Sequence, residues 1–200
     1  MMGLSIREVR IMPRRPRVEV EGALYHLITR GNNRQAVFKH DDDYRKFLSL
    51  LEREKQKHPF YLYAYVLMTN HVHLLVERQS DSVSGVMQRV LTGYAQYRNR
   101  KYRKVGHVFQ GRYKAIVCQR DAYLSELVRY IHLNPVRAGM VKRVEDYRWS
   151  SHRAYMGLEN CSWVDCEPVL RHFGARRKRA VQTYSDTFFL LHFIKFRSPY

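Results

Sequence analysis

The chain has 200 residues, 45% of them hydrophobic, and 36 Lys+Arg against 18 Asp+Glu give it a formal net charge of +18. That hydrophobic share excludes a disordered chain, and the length suits one domain with a real core. The charge calls for a polyanionic partner, nucleic acid ahead of an anionic membrane surface.

Residues 1–12 read as an N-terminal extension, with Met12 a second candidate start. Arg14, Arg15 and Arg17 around Pro16 form a basic arm suited to phosphate contacts. Ala23 to Arg30 reads as a first strand, and Gly31-Asn32-Asn33 as the turn after it. Asp41-Asp42-Asp43 caps and charges a helix whose Tyr44, Phe47, Leu48 and Leu51 recur at helical spacing to about Lys57, where Pro59 stops it. Phe60 to Met68 and His71 to Arg78 are two β-prone runs around a Thr69-Asn70 turn.

Ser82 caps a second helix with Val86, Val90, Leu91 and Tyr94 on its inner stripe. Its far end interleaves Tyr94, Tyr97 and Tyr102 with Arg98, Arg100, Lys101, Arg103 and Lys104. Aromatic faces stack on unpaired bases while cations neutralise phosphates, so this end is expected to bind nucleic acid. His107 to Cys118 reads as a fourth strand bent at Gly111, with Arg112 and Lys114 sharing one face. A third helix opens at Asp121, runs through Leu124, Leu127, Val128 and Ile131, and is expected to end near Asn134 before Pro135. Asp146 to Tyr155 reads as a short helix, and Arg176 to Arg179 as a basic cluster in a tail from 175 onward.

The order is βαββαβ, an α+β fold of ferredoxin-like kind: an antiparallel sheet with helices packed on one face and a short helical extension. No apolar run reaches bilayer-spanning length, and the longest, Phe188 to Ile194, contains His192. Cys118, Cys161 and Cys166 are few and odd in number, which suits reduced thiols in a cytoplasm. Cys161 and Cys166, with His152 and His172 nearby, match no common zinc spacing.

Chemistry gathers in two places. His71 and His73 stand at i and i+2 on a strand, so both imidazoles leave the same side of the sheet. Neutral imidazoles can hold a divalent metal with positions left open. Tyr130 and Asn134 lie one helical turn apart and share a face. If that face meets the sheet beside His71 and His73, an amide oxygen completes a three-ligand shell and a phenol stands ready as nucleophile. A phenol with an ordinary pKa near 10 needs activation, which a metal and nearby cations supply. Each residue alone has an ordinary structural role; the four together carry the reading.

At these residues the chain resembles the single-tyrosine HUH transposases, and more specifically the REP-associated tyrosine transposases. The resemblance rests on Gly22 to His26 with Arg30-Gly31-Asn32, Met68 to Leu75, Phe109 to Tyr113, Arg129 to Gly139, and Tyr147 to Ser151 with Tyr155. It spans about residues 13–174, the expected transposase domain, and lapses from about Asp186. It implies Tyr130 as catalytic residue; His71, His73 and Asn134 as ligands of Mg2+ or Mn2+; and single-stranded DNA hairpins as substrate. The reaction so implied leaves a 5′-phosphotyrosine and a free 3′-OH, in a bacterial, nucleoid-associated setting, by a monomer or homodimer. Imidazole ligands suit Mn2+, Zn2+ or Ni2+ better than Mg2+. Arg14, Arg15, Arg17, Arg98, Arg100, Lys101, Arg103, Arg112 and Lys114 are the expected DNA contacts. Two other readings compete: a hairpin-binding regulator without chemistry, and a water-using metal nuclease.

Overall fold

The structure is a computed structural model that describes residues 21–118 and 120–190. Arg14, Arg15 and Arg17 lie outside them. Strands β1 (Leu24–Arg30), β2 (Phe60–Met68), β3 (His71–Arg78) and β4 (Lys114–Cys118) form one sheet in the order β2-β3-β1-β4, every pair antiparallel. This is the expected ferredoxin-like arrangement. Helices α1 (Asp41–Lys57) and α2 (Val83–Tyr102) pack on one face of the sheet. There Leu27, Leu74 and Val76 from the strands meet Leu51, Val86 and Met87 from the helices. By strand alternation, His26 and His73 then point to the opposite face. Helix α3 (Arg120–Arg137) covers that side.

Local chemistry sets the element ends. His40, rather than an aspartate, is the N-cap of α1; Asp43 reaches back to accept the backbone N–H of Lys39 at 2.8 Å and of His40 at 3.1 Å. Ser82 caps α2 as expected, accepting from the Gly85 N–H at 3.3 Å.

Three expectations need correction. The fourth strand is only Lys114–Cys118, because residues 107–113 form an irregular segment pinned to the end of β1. Asn32 N–H donates to the Val108 carbonyl at 2.9 Å and Gln110 N–H to the Arg30 carbonyl at 2.8 Å. The third helix continues through Pro135 to Arg137. Proline removes the N–H that would bond the Ile131 carbonyl, and the Asn134 side-chain amide takes its place, donating to Ile131 at 3.1 Å and to Tyr130 at 2.9 Å. Residues 146–155 are not one helix: a 3-10 turn at Val144–Asp146 and the short α4 (His152–Tyr155) flank a turn with a single β-bridge from Ser150 to Val66.

That turn lies along β2. Leu67 N–H donates to the Trp149 carbonyl at 2.9 Å and Ser151 N–H to the Tyr65 carbonyl at 3.0 Å. It covers what would otherwise be an open sheet edge. The remaining layer consists of α5 (Glu167–Leu170) and α6 (Arg177–Leu190). The basic cluster at 176–179 therefore opens a packed helix, in which Ala180 and Tyr184 are buried. The Tyr184 hydroxyl meets His132 Nδ1 at 2.7 Å and His152 Nδ1 at 2.9 Å, while His132 Nε2 meets Ser151 Oγ at 2.7 Å. So α3 is tied to α6 and, through Ser151, to β2. No helix among the described residues is long and apolar enough to cross a membrane.

Candidate active site

Strand β3 lays His71 and His73 on the α3 side of the sheet, with ring centroids 5.0 Å apart. The Tyr130 ring stands edge-on to His73 at 6.4 Å and to His26 of β1 at 6.0 Å. The fold thus joins residues nearly sixty positions apart. Asn134 lies one helical turn beyond Tyr130 on α3, with its amide nitrogen bonded to the Tyr130 and Ile131 carbonyls. An oxygen could not face two carbonyl oxygens, so this pairing turns Oδ1 away from the helix backbone.

The hydrogen bonds also orient the imidazoles and, for His71, set the tautomer. Asn70 donates from Nδ2 to the Arg34 carbonyl at 3.2 Å, which turns its Oδ1 to His71 Nδ1 at 2.7 Å. A carbonyl oxygen only accepts, so His71 carries its proton on Nδ1 and keeps a lone pair on Nε2. His73 Nδ1 and His26 Nε2 are hydrogen-bonded at 2.9 Å, which holds the His73 ring with its Nε2 pointing away from His26. Burial, then Arg30, brings the His71 pKa down to about 4. Burial, then Lys114, does the same for His26, also to about 4. His73 is held well below the usual histidine range by burial first, then by its two histidine neighbours and Arg30. All three imidazoles are therefore neutral near pH 7, the form a metal binds.

Among the described residues no cluster of three or more His, Cys, Asp or Glu side chains is arranged to hold a metal. The ligand set expected from the sequence is a mixed one, two imidazole nitrogens and the Asn134 amide oxygen, which such a cluster would not include. The lone pair on His71 Nε2, the His73 ring and the freed Oδ1 fit that role. Cys161 and Cys166 do not: burial pushes both thiols up to about 12, against the thiolate that zinc requires.

Two neighbours went unread in the sequence. His26 sits on β1 at the position whose side chain meets His73, a match visible only once β1 and β3 are in register. Arg137 places its guanidinium 5.1 Å over the Tyr130 ring; its signal was the i, i+7 spacing from Tyr130.

The expected DNA contacts divide. Arg100, Arg103, Arg112 and Lys114 are exposed. Arg112 lies before β4, so the i, i+2 rule does not pair it with Lys114, which stands opposite Ile28. Arg98 is buried and donates to the Ala36 carbonyl at 2.7 Å and the Val37 carbonyl at 3.1 Å, so it is not a surface cation. Lys101 bonds the buried Asp43 carboxylate at 2.8 Å. Tyr97 and Tyr102 donate to the same carboxylate, and Tyr94 donates to Val37. The aromatic and basic end of α2 is thus largely spent inside the fold.

Residues 19–134 match the family described as "Transposase IS200 like". A Haemophilus influenzae protein named as a REP-associated tyrosine transposase is 28% identical over 125 residues, 56% of this chain and 70% of that protein. A solved REP-associated tyrosine transposase, bound to a REP hairpin, superposes with a TM-score of 0.62 at 19% identity, over 73% of this chain and 86% of that one. The superposition shows a common fold.

Proposed function

The chain belongs to the IS200-like transposase family, enzymes of DNA strand cleavage and joining with REP-associated tyrosine transposases among its relatives, and from that premise we propose that it cleaves and rejoins single-stranded DNA at REP-type hairpins through a 5′-phosphotyrosine on Tyr130. The observation that carries this reading is the meeting of the Tyr130 ring with His73 and His26, beside His71. Tyr130 Oη attacks the scissile phosphorus; the bond from phosphorus to the 3′-oxygen breaks, and that oxygen takes up the proton the phenol gave up. One phosphodiester replaces another, so the reverse attack by a 3′-OH rejoins the strand without an outside energy source.

His71, His73 and Asn134 would hold the divalent cation, whose Lewis acidity would polarise the phosphate. Arg137 supplies a fixed positive charge beside the nucleophile, where negative charge builds on the phosphate oxygens. His26 keeps the His73 ring turned, and Asn70 does so for His71. The exposed Arg100, Arg103, Arg112 and Lys114 serve the phosphate backbone.

The test is covalent trapping. Labelled hairpin DNA, incubated with the protein and Mn2+ or Mg2+, should give a slow band on a denaturing gel that needs metal and disappears in Tyr130→Phe. Tight binding with no adduct across a broad pool of hairpins would overturn the enzymatic reading in favour of a hairpin-binding regulator. Free 5′-phosphate ends without adduct would identify a water-using nuclease.

A further inference from the structure

Beside the histidines, the end of β1 holds a fixed positive charge. Arg30 stands directly opposite His71 across the strand pair, as Ile28 stands opposite His73. Positions 26, 28 and 30 fall on one side of the strand, so Arg30 leaves the sheet on the same face as His26, His71 and His73. Residues directly opposite in an antiparallel pair have Cβ atoms roughly 5 Å apart, which makes Arg30 and His71 immediate neighbours. The charge is felt there: after burial, it is Arg30 that pulls the His71 pKa down, and it acts on His73 as well. The strand end is held on both flanks. The Arg30 carbonyl accepts the Gln110 N–H at 2.8 Å, and Gly31 N–H donates to the Asn70 carbonyl at 2.8 Å. Yet the Arg30 side chain is exposed, and its guanidinium makes no hydrogen bond or ion pair with a described residue.

We propose that Arg30 is a further catalytic residue of strand cleavage and joining: its guanidinium bonds a non-bridging oxygen of the scissile phosphate and meets the charge that grows there as Tyr130 attacks. The inference rests on the DNA transposase reading and adds a contact to it. A lone cation beside imidazoles that hold a divalent metal is unfavourable by itself, because the two positive charges repel. An anion seated between them reverses the sign, and the scissile phosphodiester is the anion this reaction supplies. The planar fork of arginine suits phosphate oxygens and keeps its charge at any working pH. Arg137 lies over the Tyr130 ring, on the nucleophile's side, while Arg30 lies on the histidines' side. A phosphate within reach of Tyr130 thus meets one fixed charge from the helix and one from the sheet. A cation serving only the DNA backbone would do as well anywhere on the surface; this one is set by the register of the strands that carry the histidines.

Imidazole and guanidinium are also positioned from one residue. Asn70 Oδ1 accepts the His71 Nδ1 proton at 2.7 Å, and the Asn70 carbonyl accepts the N–H of Gly31, the residue after Arg30. The backbone that presents the charge is therefore organised before substrate arrives, the condition under which a donor contributes most to a transition state.

The experiment compares the full wild-type chain with Arg30→Ala and Arg30→Lys, in Mn2+, on a labelled hairpin that traps the wild-type adduct. Protein is in excess, so binding is saturated and the rate read is that of adduct formation. Arg30→Ala should slow it about a hundredfold. Arg30→Lys keeps the charge but not the fork and should lose about tenfold. Guanidinium chloride, well below denaturing concentration, should restore part of the Arg30→Ala rate, whereas sodium chloride at the same concentration should not. With an uncharged methylphosphonate at the scissile position, in one of its two diastereomers, Arg30→Ala and wild type should come within about threefold of each other. A rate for Arg30→Ala within about threefold of wild type on the ordinary hairpin overturns the assignment. So does a slow variant that neither guanidinium nor the methylphosphonate brings closer to wild type, the pattern of a residue acting only through the fold. Both results leave the Tyr130 chemistry standing. If the wild-type chain forms no adduct on any hairpin, the transposase reading falls and takes the role of Arg30 with it.

Discussion

Replacing Asp43 by Asn should cost more stability than any conservative change on the surface. The carboxylate is fully buried and accepts five hydrogen bonds: from the Lys39 and His40 N–H groups, the Tyr97 and Tyr102 hydroxyls, and the Lys101 ammonium. Burial alone would raise its pKa, but Lys101, Tyr102 and the two backbone donors outweigh it and hold the group at about 2. From 3.8 to about 2 is nearly two pH units, or roughly 2.5 kcal/mol. Because the folded pKa is depressed, that stability is present above about pH 4 and is lost as pH falls towards 2. Asparagine keeps the shape but turns an NH2 towards either the ammonium or the backbone donors. The expected loss is about 3 kcal/mol at pH 7. Urea denaturation of both proteins at pH 7 and pH 3 measures it, and the gap between them should narrow in acid. A loss below about 1 kcal/mol, or a gap that ignores pH, would refute the account of Asp43 as the anchor between α1 and the end of α2.

Arg98→Ala should lower stability by about 2–4 kcal/mol, since it strips the Ala36 and Val37 carbonyls of a buried donor; chemical denaturation reports it. Arg100→Ala, at an exposed position, should leave stability within about 0.5 kcal/mol but reduce by about one the slope of log affinity for DNA against log salt. Gly31→Ala should destabilise by about 1–3 kcal/mol, because an added Cβ would stand only 2.2 Å from the Gln35 carbonyl oxygen; thermal melting tests it. His26→Ala should weaken binding of Mn2+ by about 10-fold or more, by releasing the His73 ring. Calorimetric titration of metal into the DNA-free protein shows this directly, and unchanged affinity would remove His26 from the site.

Much of the fold was legible because its signals are local. Helix α1 and strands β2 and β3 begin and end where the runs from Asp41, Phe60 and His71 indicated. Period-two alternation also gave the shared side of His71 and His73. Reading failed where a partner distant in sequence decides. Tyr97, Lys101 and Tyr102 look like a nucleic-acid surface until Asp43, more than fifty residues away, claims them. The apolar run from Val108 resembles strand, but its backbone partners are the single residues at the end of β1. His26 could be added to the site only through strand register, which a lone β1 does not declare. Pro135 stopped the expected helix because its ring disfavours helical geometry in the residue before it; in the fold Asn134 stays helical, and its side chain supplies the donor that proline lacks.

That replacement makes the Asn134-Pro135 pair a single device. In an unbroken helix the Ile131 carbonyl would be occupied by the backbone, and an asparagine three residues on would be free to swivel between rotamers. Here the break in the ladder works as a jig: the vacancy left by proline grips the amide by its nitrogen and leaves its oxygen turned away from the helix backbone. Restoring the backbone bond with Pro135→Ala would mend the helix and loosen the Asn134 amide, so if that amide holds the proposed cation the better helix is expected to be the poorer transposase.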